Sequence, residues 1–523
     1  MMSDLGLGSW PARRARMDGA AIALEQGDRH LDYATLADRV EALAGGLARL
    51  GVKAGDRVAY LGPNDLSTFE TLFATGRLGG IFVPLNLRLA AAEISYMLAD
   101  CGASVLVHGP DQAGLVRAAD PAAAGVRHVV PIANSPQEQG DSRYERLLTP
   151  GAGGCAPSSP VTLEDDALIL YTSGTTGRPK GAVLTHGNIT FNTVNQLAHL
   201  DVLRSDTVVC TAPLFHVTGL GQVSLPTLFK GGRVIVAPKF DPAWLLRTIA
   251  QHAVAAFSAV PTMLQLLCDS PDWDTADLSS LRYVVFGGSP VDERVARAWR
   301  ERGVDVLQGY GMTEAAPGVL MTLPGTAAGH PASTGVPHFF TDVQLLPLEG
   351  SGRIGGSGLR PAEGTGELLV RGPNVFRGYW RRPAETAAVL EPDGWYHGGD
   401  VLTIDGDGWG YVVDRVKDVI ISGGENIYPA EVEAVLRQLP AIADCAVIGV
   451  PDQRWGEVGV AYLVPAPGRS LDEAQVRAHL ESRLARFKVP RYLKIVSGLP
   501  RTATGKLQRS LLRPGPPETG RCP

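Results

Sequence analysis

The stretch Tyr171-Thr-Ser-Gly-Thr-Thr-Gly-Arg-Pro-Lys-Gly181 concentrates groups that can hold an anion. Thr172 and the small residues Ser173, Gly174, Thr175, Thr176 and Gly177 leave hydroxyls and backbone N–H groups free to face a phosphate, and Lys180 adds positive charge. The spacing is neither the G-x-x-x-x-G-K-[ST] of a Walker A loop nor the G-x-G-x-x-G of a dinucleotide fingerprint. Composition alone also fits a polar hairpin loop. Other groups with chemical capacity stand apart from it. Glu314 closes Gln308-Gly-Tyr-Gly-Met-Thr-Glu314, and Asp400 closes Gly394-Trp-Tyr-His-Gly-Gly-Asp400. His216 sits among apolar neighbours, Arg415 and Lys417 lie two residues apart, and Lys506 lies in a glycine loop. Taken singly, these are equally a solvated carboxylate, a packed histidine, the wet face of a strand and an inert lysine.

Their positions depend on the elements around them. Apolar runs end at Tyr171 and begin again at Gly181, so the anion loop joins two strands. Residues 25–110 alternate strands and helices. Leu36, Val40, Leu43, Leu47 and Leu50 make one helical stripe stopped by Gly51, residues 56–62 read as a strand, and 79–88 as a buried strand turning into a helix. From 111 to 166 the signal weakens, and Gly, Pro, Ala and Ser at 148–160 read as a surface connection ahead of a core strand at 167–171. Val284-Val-Phe-Gly-Gly-Ser-Pro290 and the 308–314 stretch both read as buried strands ending in glycine turns, where ligands bind in open α/β sheets. Residues 349–366 are a glycine-rich surface loop, and 366–372 a strand. Tyr411–Ile420 marks the boundary between a domain at 1–415 and a second at 416–523. In the second, Pro429 opens a helix burying Val432, Val435, Leu436 and Leu439, and 445–450 and 458–464 read as strands. The Pro/Gly-rich last dozen residues read as disordered.

At 523 residues the chain exceeds one core, and roughly 100–200 residues per domain predicts three or four units. A net charge of −6 gives no reason to expect nucleic-acid binding. The six cysteines are scattered without C-x-x-C, which argues against a disulfide framework or zinc site and fits a reducing cytoplasm. Arg13, Arg14 and Arg16 precede no apolar h-region, so no signal peptide is expected, and no run approaches the roughly 18 apolar residues of a membrane helix. Oligomeric state is not legible.

The 171–181 string resembles the phosphate loop of the acyl-adenylate-forming superfamily, which includes acyl-CoA synthetases, peptide-synthetase adenylation domains and firefly luciferase. The likeness runs from about residue 25 to 512 through ordered motifs. It is nearest to bacterial fatty-acyl-CoA synthetases in Ile421-Ser-Gly-Gly-Glu-Asn-Ile-Tyr-Pro429 and Gly449-Val-Pro-Asp-Gln-Arg-Trp-Gly456. The resemblance implies an α/β fold: a large N-terminal domain of doubly wound α/β subdomains plus a small β-barrel subdomain near Phe376-Arg-Gly-Tyr-Trp380, then a small mobile α+β lid. It implies cofactors ATP, Mg²⁺ and CoA. By the same resemblance, the 172–177 loop and Lys180 hold the β- and γ-phosphates, and Gly288 with Ser289 backs adenine and the acid. Gly309, Tyr310, Gly311 and Met312 form the adenine site, with Tyr310 stacking. Thr313 reaches the α-phosphate, Glu314 holds Mg²⁺, Asp400 accepts from the ribose hydroxyls, and Arg415 contacts adenylate oxygens. Lys417 matches the hinge, and Ser422, Gly423 and Gly424 pass close to pantetheine. Trp455, Phe487 and Lys488 match positions that frame CoA in some relatives, although Val489 stands where some carry a cation. Lys506 matches the lysine bridging the acid carboxylate and the α-phosphate, where charge builds in the transition state.

His216 matches the aromatic position that walls the acid pocket and gates the thiol tunnel. Between Thr211 and Pro226 there is no Asp or Glu for an α-ammonium group, and no Arg or Lys for a second carboxylate. Gly219 and Gly221 read as leaving room, so the pocket is expected to be apolar and roomy. The implied activity is an acyl-CoA ligase for a fatty, aromatic or bulky alicyclic acid. The acid is activated as acyl-AMP with release of pyrophosphate, then passed to CoA by a two-conformation mechanism. The alternative is an acyl-AMP ligase loading a carrier-protein phosphopantetheine in natural-product biosynthesis. Amino-acid activation is disfavoured by the missing acidic residue. A non-catalytic sensor is disfavoured by the presence of Lys506 and Glu314.

Overall fold

A strand that is apolar on both faces has to be covered on both faces, and two sheets of this chain are built that way. The computed structural model describes residues 4–133, 142–149, 160–172, 179–287, 291–348, 354–355, 363–415, 418–422, 425–452, 455–484, 486–501 and 507–512. By contacts the chain falls into two compact units, Met1–Val343 with Leu369–His397, and Gln344–Leu368 with Gly398–Pro523.

In the first unit a seven-stranded sheet runs in the order Gly378–Tyr379, Lys180–Thr185, Asp166–Thr172, Ile81–Leu85, Arg57–Leu61, Val105–His108, His128–Pro131. The strands from Asp166–Thr172 onward are parallel, and the first two add on antiparallel. A nine-stranded sheet has a parallel centre: Asp305–Gly311, Tyr283–Phe286, Val254–Ala259, Thr207–Cys210, Arg233–Val236 and Ile22–Gln26. Antiparallel strands finish both edges, Gly318–Met321 with Val336–Pro337 on one side and Arg29–Asp32 on the other.

The apolar stripe expected before Gly51 lies on helix Tyr33–Arg49, where Leu36, Val40, Leu43 and Leu47 are buried. Gly51 follows at φ +83°, which a side chain rarely adopts. Phe257 and Trp299 anchor the core of the larger sheet, with Trp273 packed edge-on to Trp299 at 4.7 Å.

A five-stranded sheet runs Ile354–Gly355, Asp342–Leu346, Gly364–Arg371, Tyr396–Ile404, Gly410–Arg415. Among the described residues its strands follow this linear order, which does not confirm the small β-barrel subdomain expected from the resemblance. The glycine-rich loop expected at 349–366 lies mostly outside the described residues, but Ile354–Gly355 pairs as a strand with Asp342–Leu346. The second unit also holds a sheet of Glu425–Ile427, Ile420–Ser422, Gly456–Pro465 and Ile442–Asp452, with Tyr492–Ile495 added in parallel. Helices Pro429–Leu436 and Glu473–Glu481 bury Val432, Leu436, Val476 and Leu480 in its core. The fold is thus α/β with a small C-terminal domain of its own.

Two elements appear where the sequence promised only a connection. Strand His128–Pro131 pairs with Val105–His108, and helix Arg143–Leu147 buries Tyr144, whose hydroxyl donates to Glu70 at 2.7 Å. Elements of four and five residues are too short to show a period. No helix among the described residues is long and apolar enough to cross a membrane.

Candidate active site

The anion loop connects the two strands of an antiparallel pair. Thr172 and Lys180 are cross-strand partners in the antiparallel pair Asp166–Thr172 and Lys180–Thr185; Ser173, Gly174, Thr175, Thr176 and Gly177 lie outside the described residues. Both feet of the loop are tied to helix Ala91–Cys101. Tyr171 donates its hydroxyl to Asp100 at 2.8 Å, and burial pushes that phenol far above its ordinary pKa, with Asp100 among the lesser causes. Arg382 donates to the other Asp100 oxygen at 2.8 Å, and Tyr96 donates to the Pro179 carbonyl at 3.3 Å. Gly181 is required by packing, because a Cβ there would lie 2.5 Å from Ile169.

Lys180 and Glu314 are brought together through Tyr379. Lys180 forms an ion pair with Glu385, and its ammonium sits 5.4 Å from the centre of the Tyr379 ring. The Tyr379 hydroxyl donates to Glu314 Oε1 at 2.8 Å. Glu314 is 8% exposed, so its carboxylate depends on such partners. Burial first, and the Glu314 charge second, raise the pKa of both Tyr379 and Tyr396. Phe376 packs edge-on against both rings, at 5.0 and 5.3 Å.

The backbone fixes this arrangement. Helix His186–His199 opens with a capping box of Thr185 and Asn188, and Asn188 Nδ2 donates to the carbonyls of Pro373 and Val375 at 2.8 Å. Phe376 N–H donates to the Glu314 carbonyl at 2.8 Å, and Trp380 N–H to that of Gly181 at 2.7 Å. Segment 373–380 is thereby pinned between the anion hairpin and Glu314.

Gly309, Tyr310 and Gly311 end strand Asp305–Gly311, as expected. Met312 precedes the 3₁₀ turn Thr313–Ala315 that carries Thr313 and Glu314. A Cβ on Gly311 would lie 1.8 Å from the Pro317 carbonyl oxygen, so only glycine fits. Strand Tyr283–Phe286 ends beside it at Gly287; Gly288 and Ser289 lie outside the described residues.

His216 caps the short helix Val217–Gly219, which runs into a π-helical turn, Leu220–Ser224. Burial, with a smaller push from the Arg88 guanidinium, drives its pKa down to about 4. The imidazole is therefore neutral near pH 7, which suits a pocket wall. Arg88 also brings a positive charge that segment 211–226 itself lacks.

Gly219 and Gly221 correct the sequence reading. A Cβ on Gly219 would lie 2.4 Å from the Pro213 carbonyl, and one on Gly221 would lie 2.6 Å from Pro317 and 2.8 Å from the Ala316 carbonyl. The space beside these glycines is filled by backbone and, at Gly221, by the Pro317 ring, so they give close packing and not pocket room.

In the second unit, Asp400 on strand Tyr396–Ile404 is the cross-strand partner of Arg415 on Gly410–Arg415. Ser422 pairs with Gly456, so Trp455, assigned like Ser422 to CoA, immediately precedes the strand that pairs with Ser422. Trp455 is 43% exposed, as is Phe487. Lys488 donates to both oxygens of Glu431, at 2.7 and 2.8 Å, and is committed there. Lys417, Gly423, Gly424 and Lys506 lie outside the described residues; Arg501 and Leu507 pair across the stretch that contains Lys506. Tyr379, Tyr396, Glu385 and Asp100 were not legible as site residues. Tyr379 stands within the 376–380 motif, yet nothing in that string says that it reaches Glu314.

The AMP-binding enzyme family model matches residues 11–380, and the AMP-binding enzyme C-terminal domain model matches 431–506. Feruloyl-CoA synthase of Amycolatopsis sp is 49% identical over 518 residues, covering 98% of this chain and 99% of the relative. Indoleacetate–CoA ligase of Aromatoleum aromaticum is 42% identical, covering 97% of each. Among solved structures, O-succinylbenzoate coenzyme A synthetase from Bacillus subtilis, in complex with ATP and magnesium ion, superposes with a TM-score of 0.83 at 31% identity, covering 96% of this chain and 99% of that one.

Proposed function

Because this chain belongs to the AMP-binding enzyme family and is an ATP-dependent acyl-CoA ligase, we propose that its acid is an aromatic or similarly cyclic carboxylic acid and that the residues below divide the work. The reaction has two halves. The acid's carboxylate oxygen attacks the α-phosphorus of ATP, and the bond to the bridging oxygen breaks, giving acyl-AMP and pyrophosphate. The CoA thiol then attacks the acyl carbon, loses its proton, and AMP leaves. Neither half needs a covalent enzyme nucleophile; the protein positions the reactants and stabilises charge.

The observation that carries the residue assignment is the Lys180–Tyr379–Glu314 contact. It sets a buried carboxylate beside the foot of the anion loop. Glu314 offers hard oxygen donors that fit Mg²⁺, which when bound offsets charge on the phosphates. Thr172 to Gly177 and Lys180 hold the β- and γ-phosphates, and Thr313 reaches the α-phosphate. Gly288, Ser289 and Gly309 to Met312 form the adenine site, and Asp400 and Arg415 hold the ribose and adenylate oxygens. His216, neutral, walls the acid. We place the functional boundary after Arg415 with Lys417 as hinge, so that the 416–523 lid supplies Lys506 to the first half. Ser422, Gly423, Gly424 and Trp455 then serve pantetheine and CoA in the second. The reading also places the enzyme in the cytoplasm.

Pyrophosphate release across a panel of fatty, aromatic and alicyclic acids, with and without CoA, tests this when coupled to mass spectrometry. An aryl acid giving both pyrophosphate and its CoA thioester is the expected result. Pyrophosphate without thioester would assign the acyl group to a carrier protein instead. Silence with every acid would refute the ligase reading.

A further inference from the structure

A cavity of about 400 Å³ opens within the first unit, and among the described residues none of those assigned above to ATP, the acid or CoA lines it. It sits at the carboxyl ends of two neighbouring parallel strands. Pro63 and Asp65 follow Arg57–Leu61 into its wall, and Gly109, Asp111 and Gln112 follow Val105–His108. The chain leaves these two strands in opposite directions. Arg57–Leu61 leads to Ile81–Leu85 on one side, and Val105–His108 leads to His128–Pro131 on the other. Open α/β sheets bind ligands in the crevice at such a switch point. A volume of this size suits a small molecule.

The wall holds five carboxylates, Asp28, Asp65, Glu70, Asp111 and Glu145, against two guanidiniums, Arg29 and Arg39. The inner charges are already matched. Arg39 donates to the buried Glu70 at 2.6 Å and to Glu145 at 3.0 Å, the Tyr144 hydroxyl donates to Glu70 at 2.7 Å, and Arg29 pairs with Asp65. What is left over has one character. Asp28 and Asp111 are exposed, and among the described residues neither has a hydrogen bond or ion pair. Gln112 Oε1 is buried and accepts no hydrogen bond; it lies so close over Gly109 that a Cβ there would stand 2.4 Å from it. A buried acceptor without a donor keeps its desolvation cost. We propose that this cavity is a binding site for a small organic cation, an aliphatic amine or guanidine. Its charged end meets Asp28 and Asp111, and its chain lies against Leu66, Pro110 and Ile132. An ammonium or guanidinium has only donors to offer, which complements three groups that can only accept. A wall with this surplus of negative charge gathers cations and repels phosphates and carboxylates, so neither ATP nor the acid is its occupant.

Calorimetric titration of the full-length protein, free of nucleotide and acid and at about 150 mM salt to screen the outer surface, tests this. The probes are putrescine, agmatine and 1,4-butanediol, the last matching putrescine in length without its charge. Each is run on the wild type, on Asp28→Asn/Asp111→Asn, and on Asp274→Asn/Glu301→Gln, a control that removes the same charge from exposed positions outside the cavity. Both amines are expected to saturate a single site per chain with Kd below about 1 mM, and the diol to give no binding heat. The Asp28/Asp111 variant is expected to weaken both amines by about five- to thirtyfold, and the control to leave them unchanged. All the substituted side chains are exposed, so equal melting temperatures for the three proteins are expected to separate lost binding from lost folding. Four results overturn the proposal: no saturable binding of either amine, a diol that binds as tightly as putrescine, an Asp28/Asp111 variant with unchanged affinity, or equal weakening in the control. The readout is binding and not turnover, so the ligase reading stands whichever way the titration falls.

Discussion

Glu314 can remain a buried carboxylate because Tyr379 donates to it, and Tyr379 is held in turn by the Phe376 ring and by backbone pairing of Gly378–Tyr379 with Val183 and Ala182. Removing only the hydroxyl isolates that contact. Tyr379→Phe is expected to lower kcat/KM for pyrophosphate release by about 10- to 100-fold, as hydrogen bonds to charged groups are worth about 1.5–3 kcal/mol. The Mg²⁺ concentration needed for half-maximal rate should rise in parallel. An unchanged Mg²⁺ dependence would remove Tyr379 from the site. Glu314 was legible in the sequence because its motif names it. Tyr379 was not, because its partner stands 65 positions away and only the folded chain joins them. The same limit explains Gly219 and Gly221: a sequence shows that a side chain is missing, not what fills its place.

Among the elements, those marked by a glycine turn or a long stripe were legible and unmarked short ones were not. The strands ending at Phe286 and Gly311 are flagged by the glycines that end them and the helix before Gly51 by its repeating stripe, whereas His128–Pro131 and Arg143–Leu147 carry neither mark. Motifs in the second unit could be matched residue by residue, and their strand pairings, such as Ser422 opposite Gly456, emerge only from the structure. The terminal glycine loop provides the prediction at this scale. Lys506→Ala is expected to slow adenylate formation by about 10²–10³-fold, the usual effect of removing one charge-stabilising donor. Thioester formation from supplied acyl-adenylate should stay within a few-fold of normal. Single-turnover assays of each half check this, and equal losses in both would refute the division of labour.

Across the described residues, burial lowers the pKa of His108, His186, His199, His216 and His338, and at His186, His216 and His338 the shift is large enough to hold the ring neutral well below pH 6. Burial drives His186 and His216 down to about 4 and, aided by its neighbour His199, His338 to about 3. In the unfolded chain they titrate near the ordinary histidine value of about 6.5. The unfolded state therefore binds more protons below that pH, so stability is complete above it and falls as the medium is acidified towards each folded pKa. Each histidine contributes a slope of up to about 1.4 kcal/mol per pH unit in that window. Thermal melts are expected to show Tm falling steadily from pH 7 to pH 5. A flat profile would mean that water reaches these rings.

On the phosphate role proposed for Lys180, its ion pair with Glu385 changes how a nucleotide would be captured. A phosphate that reaches this lysine does so by evicting a carboxylate already in place, so the encounter is an exchange of anions. Exchange returns little net attraction, because the outgoing partner resembles the incoming one. It also works in reverse: Glu385 stands ready to reclaim the lysine as soon as pyrophosphate is cut loose. A lysine paired this way would release its product readily, which is what an enzyme needs when a thiol must next be admitted.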